Sequence, residues 1–96
     1  MEVPLQITLR DLKRSDALSA RIRGDADRLE RLHPEITRCR VVVEEAARHR
    51  HRGREFSVHV EVRVPGREAL VSTEQRNNDV YVAVRDAFEA VRKQFA

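Results

Sequence analysis

The chain has 96 residues, 36% of them charged and 41% hydrophobic, with a formal net charge of +3. That length suits a single domain, with no second one expected, burying roughly 60–65% of the surface its unfolded chain exposes; no run approaches the ~20 apolar residues of a membrane-spanning helix. Cys39 is the only cysteine, so no intramolecular disulfide can form, and the N-terminus lacks the basic-then-apolar layout of a signal peptide. A cytoplasmic protein is expected, with no membrane partner.

Seventeen of the nineteen basic residues are arginine. Arginine presents a planar fork that matches phosphate oxygens and stacks on bases, which favours a nucleic-acid partner. A GC-rich coding sequence gives the same bias without any partner, so position has to decide between them.

Leu5, Ile7 and Leu9 alternate with Gln6, Thr8 and Arg10 and predict a first strand, with Pro4 at its start. Ser15 is placed to cap a helix and Asp16 to sit in its first turn. Leu18, Ile22, Ala26, Leu29 and Leu32 keep helical spacing until His33-Pro34 ends the element, and Gly24 costs it up to ~1 kcal/mol relative to alanine. Arg21, Arg28 and Arg31 are expected to form one basic row away from that apolar stripe, partly neutralised by Asp25, Asp27 and Glu30. Thr37, Cys39, Val41 and Val43 predict the inward set of a second strand, with Arg38 and Arg40 outward. Cys39 reads as a small buried hydrophobe and not as a nucleophile.

From Arg48 to Arg54 the periodicity dissolves into Arg-His-Arg-His-Arg-Gly-Arg, a connection with a strongly positive local field that includes Arg50, Arg52 and Arg54. Phe56, Val58, Val60, Val62 and Val64 then alternate with Ser57, His59, Glu61 and Arg63 as a central strand. Pro65-Gly66 suits a reversal, after which Ala69, Val71 and Thr73 resume the alternation. Beyond Asn77-Asn78-Asp79, Val80, Val84, Phe88, Val91 and Phe95 form the apolar stripe of a second helix, with Arg85, Glu89 and Arg92 on another. The expected fold is α+β: a two-layer β-α-β-β-β-α arrangement with a four-stranded mixed sheet and both helices on one face. The other face, with Arg38, Arg40, His59, Glu61 and Arg63, is polar enough to stay wet.

No Gly-rich phosphate loop, paired cysteines, His-Glu-x-x-His or glycine-flanked serine occurs, so neither an enzyme nor a cofactor or small-molecule substrate is expected. His49 and His51 sit two apart, but flanking arginines repel a cation and no third ligand is evident, so no metal site is expected. Electrostatics remains. Arg21, Arg28 and Arg31 on the first helix and Arg85, Arg92 and Lys93 on the second can line one furrow for phosphates if the helices lie side by side. The competing reading is that these arginines pair with Asp25, Asp27, Glu30, Asp86 and Glu89 and only keep the surface soluble.

Asp79-Val80-Tyr81-Val82-Ala83-Val84, Arg28-Leu29-Glu30-Arg31 and the valine-rich Arg40 to Glu44, in this order and spacing, resemble the ribosome hibernation-promoting factor family, also called ribosome-associated inhibitor or sigma-54 modulation proteins. The likeness covers nearly the whole chain and is to the short form. It implies a fold similar to a double-stranded-RNA-binding domain. It also implies docking on the small ribosomal subunit, against 16S rRNA in the tRNA and mRNA channel, which blocks translation in stationary phase or stress without catalysis. By position the resemblance carries RNA contact to Arg28, Arg31, Arg92 and Lys93; Arg21 and Arg85 join them on spacing, and Arg50, Arg52 and Arg54 on the charge of their loop. Arg85 stands where that family often has an acid. A different reading is a protein-interaction module that uses the wet sheet face or an edge strand.

Overall fold

Period-two and period-3.6 patterns fold into the expected order of elements. The computed structural model describes residues 4–46, 54–66 and 71–95. Its elements are β1 (Leu5–Arg10), α1 (Asp16–Leu32), β2 (Arg38–Glu45), β3 (Phe56–Arg63), β4 (Val71–Asn77) and α2 (Val80–Gln94). The sheet order is β1-β2-β3-β4, with β1 and β2 parallel and both later pairs antiparallel. Ala69 and the basic loop residues Arg48 to Gly53, with Arg50 and Arg52 among them, lie outside the described residues.

Alternation on the two central strands turns Cys39, Val41 and Val43 of β2 and Val58, Val60 and Val62 of β3 to one face, where all are buried. Leu18, Ile22, Ala26 and Leu29 of α1 and Val84, Ala87, Phe88 and Val91 of α2 close over them in one continuous core. Burying each such valine contributes about 1.5–3 kcal/mol. Leu5, Ile7 and Leu9 pack against the rim of this core only half-buried, as expected on an edge strand.

Both helices carry side-chain caps. Ser15 Oγ accepts from the Leu18 amide at 3.1 Å, and Asp79 Oδ1 accepts from the amides of Tyr81 at 2.9 Å and Val82 at 3.4 Å. Pro65-Gly66 makes the expected reversal, with Gly66 at φ 81°, where a side chain would be strained. A methyl at Gly24 would meet nothing nearer than Arg28 Nη1 at 3.9 Å. Gly24→Ala should therefore stabilise the protein by about 0.4–1 kcal/mol, seen as a higher melting temperature.

Two expectations need correction. Leu32 does not continue the apolar stripe: it is 62% exposed, and His33 takes the inward place, its ring stacked on Phe95 at 4.2 Å between centroids. At about 100° per residue, Leu32 falls only about 20° from Arg21 around the helix, whereas His33 falls near Ile22. Thr37 is exposed, its hydroxyl donating to the Arg63 carbonyl at 3.2 Å; Ile36, delivered by the turn after His33, is buried in its stead. Asp25 neutralises part of the basic row as expected, and does so from a buried position, being 8% exposed.

Cys39 is buried as expected, and desolvation pushes its thiol up to about 12. At pH 8 the native thiol should resist a thiol-specific reagent until the protein unfolds, giving a modification rate that rises with denaturant as unfolding does. The stability gained by keeping this thiol neutral is complete below pH about 9 and declines as pH rises towards 12.

Candidate nucleic-acid interface

Because β4 is antiparallel to β3, and β3 to β2, the strands β1, β2 and β4 all point the same way. β1 and β4, on opposite edges, therefore finish at the same end of the sheet, both helices start there, and they run back abreast. Their last turns carry Arg31, and Arg92 and Lys93, where the partial negative charge of a helix C-terminus favours cations.

Between the helices runs a furrow of about 330 Å³. Arg21 and Arg28 stand on its α1 side and Arg85 and Arg92 on its α2 side, over an apolar floor that includes Leu29, Leu32 and Phe88. Arg21 and Arg28 thus border the apolar stripe of α1 and do not oppose it. Arg31 and Lys93 do not line the furrow, which corrects the expected shared lining. Arg31 is turned about 60° around the helix from Arg28, and Lys93 about 100° from Arg92.

Every furrow arginine also holds an acid. Asp25 accepts from Arg21 Nε at 3.1 Å and from Arg28 Nη2, Arg85 pairs with Asp86 at 3.2 Å, and Arg92 Nη2 with Glu89 at 2.6 Å; outside the furrow, Arg31 pairs with Asp27 at 2.9 Å. The acid pairing expected on the competing reading is thus present in the free protein. It does not exhaust the cations, since a guanidinium has five N–H donors and each pair uses one or two. The Arg85–Asp86 and Arg92–Glu89 pairs are exposed and worth about 0–1 kcal/mol, so a phosphate can share or displace them, whereas buried Asp25 keeps its hold on Arg21 and Arg28, which meet a phosphate through their remaining N–H groups. With four arginines against Asp25 and Glu89, the lining keeps a charge of +2. Asp25, expected as a neutralising neighbour of this row, pairs at the spacing of four residues after Arg21 and three before Arg28, and its burial makes it a structural member of the site.

Arg54, the described member of the basic loop, stands away from the furrow. It makes a bidentate pair with Glu45, at 2.9 Å on both arms, and lies 5.3 Å over the Phe56 ring. The hydrogen bond to Glu45, then the charge of Glu45, raises its pKa further, so it stays cationic. It borders a second hollow of about 620 Å³ at the starting ends of both helices, with Lys13, Arg14 and Tyr81, where Asp11 and Glu45 offset much of the charge. The edge of β4 is covered at Ser72, whose carbonyl accepts from Gln94 Nε2 of α2 at 2.8 Å. Among the described residues no group of three His, Cys, Asp or Glu side chains could hold a metal, and no helix is long and apolar enough to cross a membrane.

The family model described as "Sigma 54 modulation protein / S30EA ribosomal protein" matches residues 5–96. Comparison with curated proteins finds no match. Among solved structures, a ribosomal subunit interface protein from Coxiella burnetii is similar, with a TM-score of 0.79 at 17% identity over 96% of this chain and 92% of that one. The N-terminal domain of Protein Y from Thermus thermophilus is also similar, with a TM-score of 0.75 at 26% identity over 98% of this chain and 94% of that one.

Proposed function

The chain belongs to the sigma 54 modulation protein / S30EA ribosomal protein family, and from that premise we propose that it is a ribosome-associated, non-enzymatic translation inhibitor. On this reading it acts in the cytoplasm during stationary phase or stress. It lies against 16S rRNA in the tRNA and mRNA channel of the small subunit, and excludes both ligands by occupying their place.

The observation that carries the reading is the furrow, which gathers Arg21, Arg28, Arg85 and Arg92 from two helices over an apolar floor. An RNA backbone is a regular array of phosphates, and forks on opposite walls of one groove can engage several at once. The solved structures named for the ribosomal subunit interface and for Protein Y add support, since they share this fold.

Sedimentation with purified ribosomes through sucrose gradients at two salt concentrations tests it. Four phosphate contacts give a slope of log affinity on log salt of about −2.8 to −3.6. The protein is expected to migrate with particles containing the small subunit and to leave them as salt rises. Failure to co-migrate at low salt, or co-migration indifferent to salt, defeats the proposal.

A further inference from the structure

The open face of the sheet, away from both helices, carries a charge pattern unlike that of the furrow. Its cross-strand neighbours mostly offset one another: Arg40 stands opposite Glu61, with Nε 3.4 Å from Oε1, and Arg10 stands opposite Glu44. One row departs from this. Arg38 on β2 is directly opposite Arg63 on β3; both are exposed, and among the described residues neither has an acid partner. Directly opposed residues share a face, with Cβ atoms about 4.5–5.5 Å apart, and like charges so placed destabilise the sheet. Arg40, two positions from Arg38 on the same face, adds a third guanidinium beside a single acid, Glu61.

We propose that Arg38 and Arg63, flanked by Arg40, form a second phosphate-binding site that holds a separate segment of polynucleotide backbone. This rests on the reading that the chain binds RNA. An oxyanion with several acceptors relieves the repulsion by bridging two planar forks, and phosphate has the geometry for bidentate contact with each. Among the described residues the face has no Phe or Tyr, and its one ring, His59, stands beside Glu61 at 3.8 Å and not beside the Arg38–Arg63 pair, so the site is assigned to backbone phosphates, which carry no sequence information. The sheet and the helix layer separate this site from the furrow. The Cα trace extends 17 Å along its shortest axis, so the two sites, on opposite faces, meet different stretches of RNA. The protein thereby clamps two RNA segments between which it sits.

The test uses the full chain, with inorganic pyrophosphate as probe at constant ionic strength and NMR of the arginine Nε–Hε groups as readout. Arg38 and Arg63 should shift along one saturable isotherm. Arg63→Glu should abolish that isotherm while raising the melting temperature, because it replaces a repulsive pair by an attractive one; loss of folding therefore cannot explain the lost binding. In the ribosome assay, Arg38→Ala with Arg63→Ala should flatten the salt slope by about 1.4–1.8 units. Unsaturable shifts, or an isotherm unchanged in Arg63→Glu, overturn the site. A saturable site whose removal leaves the ribosome slope at its wild-type value overturns its assignment to polynucleotide. If the wild-type chain binds pyrophosphate at Arg38 and Arg63 but never sediments with ribosomes, the proposed function fails and the polynucleotide assignment falls with it, while the anion site stands.

Discussion

Replacing Arg28 and Arg92 together by alanine is expected to flatten the salt dependence of ribosome binding by about 1.4–1.8 units, two contacts at about 0.7–0.9 each. The pair takes one guanidinium from each wall of the furrow. It also leaves Arg21 in place, which matters because Asp25 is buried and would otherwise keep a carboxylate with no cation. With each lost charge-assisted contact worth about 1.5 kcal/mol or more, affinity near 0.1 M salt should drop at least ~100-fold. Arg31→Ala with Lys93→Ala removes the same formal charge from outside the furrow. A smaller effect from that second pair would show that the RNA follows the groove between the helices. Equal effects would mean that RNA responds to total charge alone, and the furrow would lose its special role.

Phe88→Ala should be the most damaging single change to stability among the furrow residues. Phe88 is both a buried member of the core and part of the furrow floor, on the flank of α2 that also carries Arg85 and Arg92. Truncating a buried phenylalanine costs about 3–5 kcal/mol, a large share of the ~5–15 kcal/mol that holds a small domain folded. At about 4–8 °C per kcal/mol, the melting temperature should fall by at least ~12 °C in a calorimetric or circular-dichroism scan. Phe88→Leu keeps most of the volume and should lose far less. Measured well below its melting temperature, that leucine variant should keep the wild-type salt slope of ribosome binding, because no cation has been removed. A slope that fell with Phe88→Leu would mean that the floor, and not the arginines alone, sets the phosphate contacts.

The elements themselves were written in the order of residues. The valine alternation of Val58 to Val62 can bury one face only as a strand, and Val80, Val84, Phe88 and Val91 line up only on a helix. Strand order, the shared helix layer and the buried thiol of Cys39 follow from those periods together with connection lengths. Side-chain direction within one element is a local property, so a single stretch of chain suffices to read it.

Relations between elements were a different matter. Spacing placed Arg21, Arg28 and Arg31 in one row, yet which flank of α1 meets α2 depends on how the helices roll against each other over the sheet, and that roll left Arg31 outside. The same docking buried Asp25 beneath two guanidiniums, turned His33 inward onto Phe95 and left Leu32 in solvent. Register did the equivalent on the open sheet face, setting Arg38 against Arg63 but Arg40 against Glu61. Periodicity along the chain therefore determined the strands, the helices and their apolar faces. Tertiary packing alone decided which charges on separate elements became neighbours, because that depends on the roll, offset and register of those elements, and these are settled only when the whole core closes at once.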